Sequence, residues 1–184
     1  MINGCGTITL LNRELGGIIM SRVIFLDIDG VLNSNFWNNG HQIEISDGTL
    51  IDEEKIKLLA YLVRETNSEI ILHSGWRFWF DSELKPLCKE ANKLVELLEK
   101  EDLHIKGITP NLTTEEIRQA KKFSLVKAEE ILLWINLHND VAEWVVLDDL
   151  DLHNTQIEQH QVKPDQTVGL TLENVKQAVK ILMG

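Results

Sequence analysis

Basic residues are scarce in this chain. Eighteen lysines and arginines face 29 aspartates and glutamates, which leaves a net charge of −11 at pH 7. A protein of that sign repels polyanions at long range. It also lacks the basic footprint that a sequence-independent nucleic-acid binder needs. Cysteine is nearly absent: Cys5 and Cys88 lie far apart, which excludes a disulfide framework and any metal-type cysteine spacing. Two free thiols in a reducing compartment are expected. No apolar run approaches the ~20 residues that cross a bilayer, so no membrane partner is expected. Arg13 and Glu14 interrupt the N-terminal stretch, so no basic start leads into an apolar segment and no signal peptide is expected. A cytoplasmic location follows as the default. Internal repeats, low-complexity tracts and long linkers are also missing.

What is present suits a folded chain. The 184 residues fit one domain with a proper core. Hydrophobic residues make up 43% and charged residues 26%, which argues against disorder over the whole length. Residues 1–20 are expected to be an N-terminal extension. Gly4, Gly6, Gly16 and Gly17 break any helix there, and Thr7 to Leu11 offers only a short strand. Residues 21–184 are expected to form the single domain.

Three short apolar runs each end in polar residues: Val23-Ile24-Phe25-Leu26 before Asp27, Ile70-Ile71-Leu72 before His73-Ser74, and Val145-Val146-Leu147 before Asp148-Asp149. Such runs suit strands buried on both faces, as in a parallel sheet. Thr167-Val168 is a candidate minor fourth strand. Helical spacing separates the runs. Asp52 to Thr66 carries Ile56, Leu59 and Val63 on one face, with Asp52 as N-cap. Glu83 to Lys100 carries Leu84, Leu87, Ala91, Leu94 and Leu98, and tolerates Pro86 only in its first turn. Lys127 to His138 and Thr171 to Met183 complete the set, with Thr171 as cap. Strands alternating with helices predict a three-layer α/β/α, Rossmann-like fold with a central parallel sheet. Ligands bind beyond the carboxyl ends of such strands, so the polar residues closing the three runs are expected to converge.

The strongest chemical signal is Phe25-Leu26-Asp27-Ile28-Asp29-Gly30-Val31-Leu32-Asn33. A lone Asp-x-Asp is common and means little. Here it follows a buried strand directly, and Gly30 lets the chain turn sharply after it. Two carboxylates at the mouth of a strand repel each other unless a cation, a shared proton or fixed hydrogen bonds compensate. The alternative is a solvated loop with two surface acids.

This segment resembles the first motif of the haloacid-dehalogenase-like superfamily. From Val23 to about Leu172 the chain is similar to the small phosphatase-type domains grouped with RNA-repair proteins. Ser74, in Leu72-His73-Ser74-Gly75-Trp76-Arg77, matches the second motif. Lys127, expected to open a helix in Lys127-Ala128-Glu129-Glu130-Ile131, matches the third, and Asp148-Asp149 matches the fourth. Gly169-Leu170-Thr171 resembles the closing turn of that subgroup. His73 and Gly75 depart from the small hydroxyl residues more usual around the second-motif serine.

The resemblance implies a magnesium-dependent phosphatase. Asp27 would attack phosphorus and form an aspartyl-phosphate, splitting one hard step into two. Magnesium would be held by Asp27, the backbone carbonyl of Asp29, and Asp148 or Asp149, the hard oxygen donors it prefers. Asp29 would protonate the leaving alkoxide and then take a proton from the attacking water, which requires it to carry a proton when substrate binds. Ser74 would donate a hydrogen bond to a phosphoryl oxygen, and Lys127 would supply positive charge to the phosphate and to Asp27. Within the family, an acid two residues past the nucleophile marks phosphatases and mutases, and Asp29 fits that pattern.

Substrate contacts are expected from Ser74, Gly75, Arg77, Lys127 and Asn33, though Asn33 suits a turn equally well. Trp76 is expected to wall the pocket or fill core, and Phe78, Trp79 and Phe80 to pack beneath the following helix. Asp151 is a candidate support for the metal site. His73, His153 and His160 form no ligand spacing. No large cap fits the sequence: residues 33–51 allow a short flap and 78–126 a modest lid. The expected substrate is a phosphorylated small metabolite or nucleotide. A phosphatase of RNA or DNA ends is the alternative, disfavoured by the acidic balance. A non-catalytic domain that senses phosphate groups is the third.

Overall fold

The computed structural model describes residues 14–15, 18–19, 21–34, 40–46, 48–120 and 123–184. The strand expected at Thr7 to Leu11 lies outside them. In chain order the elements are β1 (Glu14–Leu15), β2 (Ile18–Ile19), β3 (Ser21–Leu26), β4 (Gln42–Ser46), β5 (Thr49–Asp52), α1 (Glu53–Thr66) and β6 (Glu69–Leu72). A 3-10 turn (Gly75–Trp79) leads to α2 (Lys89–Glu99), β7 (Ile105–Ile108), α3 (Glu115–Ala120), α4 (Phe123–Leu137), β8 (Val141–Leu147), α5 (Thr155–Glu158), β9 (Gln161–Val162) and α6 (Leu172–Met183).

The central sheet has the order β7-β6-β3-β8-β9, and every pairing is parallel. Strand alternation sends successive side chains of β3 to opposite faces. Ile24 and Leu26 join one core with Leu59 of α1, Leu94 of α2 and Val175 of α6. Val23 and Phe25 join the other, with Ile131 and Trp134 of α4 and Ile157 of α5. Two helical layers thus cover both faces, the architecture that the alternation of strands and helices predicts. All four apolar residues of Val23 to Leu26 are fully buried, which is why the strand shows no polar alternation in sequence.

Three expectations need correction. The helix expected from Glu83 begins only at Lys89. Pro86 instead pairs with Phe80 in an isolated bridge, Leu84 takes a positive φ of 61°, and Leu87 is exposed. The Asp81 carboxylate accepts from the Glu83 and Lys85 amides. A tight local turn therefore takes the place of a helical turn that Pro86 would interrupt. The helix expected to open at Lys127 starts at Phe123, so Lys127 sits one turn inside it. Thr167-Val168 is a turn, in which Val168 and Gly169 donate to the Asp165 carbonyl. The sheet edges are instead β7, whose apolar pattern Lys106 and Gly107 interrupt, and β9, only two residues long.

No large cap is present among the described residues. Within 33–51 the antiparallel pair β4–β5 forms a small hairpin. Of the 78–126 stretch, α2 packs into the core through Ala91, Leu94, Leu97 and Leu98, and β7 closes a sheet edge. Cys88 is free and caps α2, while Cys5 lies outside the described residues. No described helix is long and apolar enough to cross a membrane.

The caps expected from sequence hold: Asp52 accepts from the Glu54 amide, and Thr171 forms a reciprocal capping box with Asn174. Thr171→Ala is expected to destabilise the fold by about 1 kcal/mol, read as a lower midpoint in urea denaturation at unchanged slope.

Candidate active site and metal centre

Three neighbouring strands deliver the chemistry. Leu26 of β3 stands in register with Leu72 of β6 on one side and Leu147 of β8 on the other. The residues that follow, Asp27, His73 and Asp148, therefore emerge side by side. Backbone bonds extend the ladders past the strand ends: His73 donates to the Leu26 carbonyl at 2.8 Å and Asp27 to the Leu147 carbonyl at 2.9 Å. Asp27 thus sits on a rigid edge and not on a loose loop.

Carboxylate oxygens of Asp27, Asp148 and Asp149 lie within 4.8 Å of one another. Asp27 and Asp148 are buried. The Lys127 ammonium, reaching in from α4, donates to Asp27 Oδ2 at 3.0 Å and to Asp148 Oδ2 at 2.6 Å. Burial works against its charge, but the two carboxylates more than offset this and push its pKa up. One ammonium among three carboxylates still leaves excess negative charge. Burial, then the charge of Asp27, pushes the Asp148 carboxyl up to about 7 against the opposing pull of Lys127. Asp149 is raised for the same two reasons. Close-set hard oxygens with uncompensated negative charge fit a small divalent cation such as magnesium.

Gly30 makes the cluster possible. Its φ is +71°, and a Cβ there would lie 2.6 Å from Cγ of Asp149. Gly169, at φ +75°, backs onto the carbonyls of Val31 and Asn33 in the same way. The turn after β9 therefore closes under the loop that carries Asp29.

Asp29 is not among the three clustered carboxylates. It is exposed, and both its oxygens are engaged: Asn33 Nδ2 donates to Oδ1 and Trp76 Nε1 to Oδ2, each at 3.0 Å. Asn33 Oδ1 in turn accepts from the Gly30 amide at 2.9 Å. A cavity of about 360 Å³ opens over Asp29, Asn33 and Asp149 beneath Thr49 and Leu50 of β5. Ser74 is fully buried and caps the 3-10 turn, its Oγ accepting from the Trp76 amide at 3.3 Å. That use of a lone pair leaves its O–H to donate elsewhere.

Residues 23–175 match the family described as the HAD domain in Swiss Army Knife RNA repair proteins. The chain belongs to this family. No curated protein matches it.

In this HAD domain the Arg77 side chain is engaged within the protein. Its guanidinium is buried, pairs with both oxygens of Glu130 at 2.8 and 2.9 Å, and donates to the Ser74 carbonyl at 3.1 Å. Glu130 also accepts from the Leu112 amide. Burial raises the Glu130 carboxyl and lowers the Arg77 guanidinium. Glu130 sits three residues past Lys127, so the pair ties the Ser74 turn to the helix that presents Lys127. Sequence reading passed over Glu130; its only signal was the i, i+3 spacing from Lys127. His73 is a core residue. Burial, then the charges of Lys127 and Arg77, holds its pKa well below the usual imidazole range. Trp79 and Phe80 pack into the core but Phe78 does not. Asp151 is exposed, accepts from the His153 amide and is not among the three clustered carboxylates.

Arg77→Ala leaves the Glu130 carboxylate buried without its counter-charge and is expected to cost about 3–5 kcal/mol of stability, measured by chemical denaturation. The raised Asp148 pKa sets a second expectation. The folded state binds the proton more tightly than the unfolded chain, so this stabilisation is full below about pH 4. It is lost as pH rises through about 7. In chelator, thermal unfolding midpoints should therefore fall across that window, and Asp148→Asn should flatten the slope.

Proposed function

We propose that this domain is a magnesium-dependent phosphomonoesterase that works through an aspartyl-phosphate on Asp27. One observation carries the reading: Lys127 bridges Asp27 and Asp148 beside Asp149, at the carboxyl ends of adjacent central strands. A phosphate monoester must be positioned and its charge spread before it can be attacked. Asp27, the Asp29 carbonyl, and Asp148 or Asp149 would hold the magnesium. When bound, magnesium offsets the repulsion between carboxylate and phosphate.

The chain's own groups account for the rest. Ser74 donates its O–H to one phosphoryl oxygen, the Gly75 backbone lies alongside, and Lys127 neutralises another oxygen while orienting Asp27. An Asp27 oxygen bonds to phosphorus as the bond from phosphorus to the leaving oxygen breaks, and Asp29 delivers its proton to that oxygen. Water then attacks phosphorus, Asp29 takes its proton, the bond to Asp27 breaks, and inorganic phosphate leaves. Trp76 and Asn33 aim the Asp29 carboxyl at this position. Arg77 acts through Glu130 and Ser74 as a positioning residue. A reducing, cytoplasmic setting suits the free thiol of Cys88.

The substrate reading is a phosphorylated small metabolite or nucleotide. Phosphate on a nucleic-acid end is the second reading. The family's association with RNA repair and a site that, among the described residues, carries only the small β4–β5 hairpin beside it favour it, and the net charge of −11 opposes it.

Hydrolysis of an aryl phosphate is expected with magnesium, to stop with chelator and to return on adding magnesium back. Asp27→Asn should fall to background and form no radiolabelled phosphoenzyme. Asp29→Asn should lose about 10²–10⁴-fold on alkyl phosphates, the usual scale of general acid–base catalysis. Activity that survives both the chelator and Asp27→Asn would falsify this mechanism.

A further inference from the structure

Two aromatic rings stand exposed beside the proposed phosphate position. Phe78 is 52% exposed and Phe123 is 40% exposed. Both line one cavity of about 400 Å³, whose walls also include Gly75, Val126 and Lys127. The cavity therefore opens directly off the lysine that holds Asp27, and its size is that of a ligand pocket. Phe78 also borders a second cavity of about 750 Å³, lined in part by Lys106, Pro110, Asn111 and His138. The buried Arg77 guanidinium lies over the ring, 4.6 Å from its centroid, a cation–π contact that favours this placement.

Charge singles out the same surface. The cavity over Asp29 and Asp149 has two carboxylates in its lining, and so does the one beside Asp151 and Glu158. Among the described residues, no carboxylate lines the larger of the two cavities at Phe78, and the smaller is lined only by that of Glu130, whose two oxygens Arg77 already engages. In a chain with 29 acidic residues, a polyanion meets less repulsion here than at those two sites. Exposed Lys106 adds a positive charge.

We propose that Phe78 and Phe123 form a base-stacking subsite, and that the paired cavities take the phosphorylated end of a single-stranded oligonucleotide. The terminal base lies in the smaller cavity against the two rings, and the next nucleotide passes Phe78 into the larger one. Stacking on aromatic side chains is tolerant of base identity and needs no basic groove of its own. The proposal rests on the phosphomonoesterase reading with its second substrate, a nucleic-acid end, and adds the residues that select it.

The test compares a dinucleotide with a terminal phosphate (3′ and 5′ forms), the corresponding nucleoside monophosphate, and ribose 5-phosphate, which has no base. Wild-type kcat/KM should fall in that order, taking the better dinucleotide form. Phe78→Ala should lower it about tenfold or more on the dinucleotide and also lower it on the monophosphate, mainly through KM, the scale of one base–aromatic stack. Phe123→Ala should act likewise on both nucleotides. Ribose 5-phosphate should be unaffected by either change, and Phe78→Trp should retain wild-type selectivity. Equal losses on all three substrates, or none, remove the subsite and leave the phosphatase standing. A monophosphate used as well as the dinucleotide overturns the oligonucleotide assignment. A wild-type protein idle on all three, with magnesium present, removes the phosphatase reading and the subsite with it.

Discussion

The structure of this site depends on a single ammonium group. Lys127 places one positive charge against two buried carboxylates from different strands, Asp27 and Asp148. Without it, the carboxyl ends of β3 and β8 would bring negative charges together in a region that water barely reaches. Such an arrangement forces carboxylates to take up protons or the backbone to move apart. The ammonium offsets part of that repulsion and leaves enough negative charge for a divalent cation. The same group thus permits the fold to close at this edge and prepares the edge for chemistry.

Around that contact, each supporting residue limits how far a neighbour can move. Gly30 lets Asp149 approach because it has no side chain. Asn33 bonds both the Gly30 amide and the Asp29 carboxylate, so the turn and the acid are set together. Trp76 reaches the same carboxylate from the turn that Ser74 caps. Arg77, one residue on, anchors that turn to α4 through Glu130. A site built on strand ends and braced by hydrogen bonds keeps its groups within the small tolerances that catalysis requires.

Much of this was legible in the sequence. The three apolar runs gave the middle strands because strands buried on both faces carry no polar alternation, and the acids at their ends marked the site. Asp52 and Thr171 marked helix starts through side chains that bond to backbone amides. The edge strands were not legible, since β7 contains a lysine and a glycine and β9 is too short to show any pattern. The extra turn of α4 before Lys127 was not legible, since the apolar spacing that marks this helix runs through Ile131, Trp134 and Ile135. Arg77 was legible only as a candidate substrate contact. Its pairing with Glu130 spans 53 positions, and no local pattern encodes such a pairing. Trp76 raised the question of wall or core, but its bond to Asp29 spans 47 positions and was equally invisible.

The spacing of Lys127 and Glu130 along α4 has a dynamic consequence. The two side chains leave the same face of one helix, one toward the acids and the other toward the brace on the Ser74 turn. Loss of the first two turns of α4 would withdraw both, so that Asp27 would lose its counter-charge and the Ser74 turn its brace together.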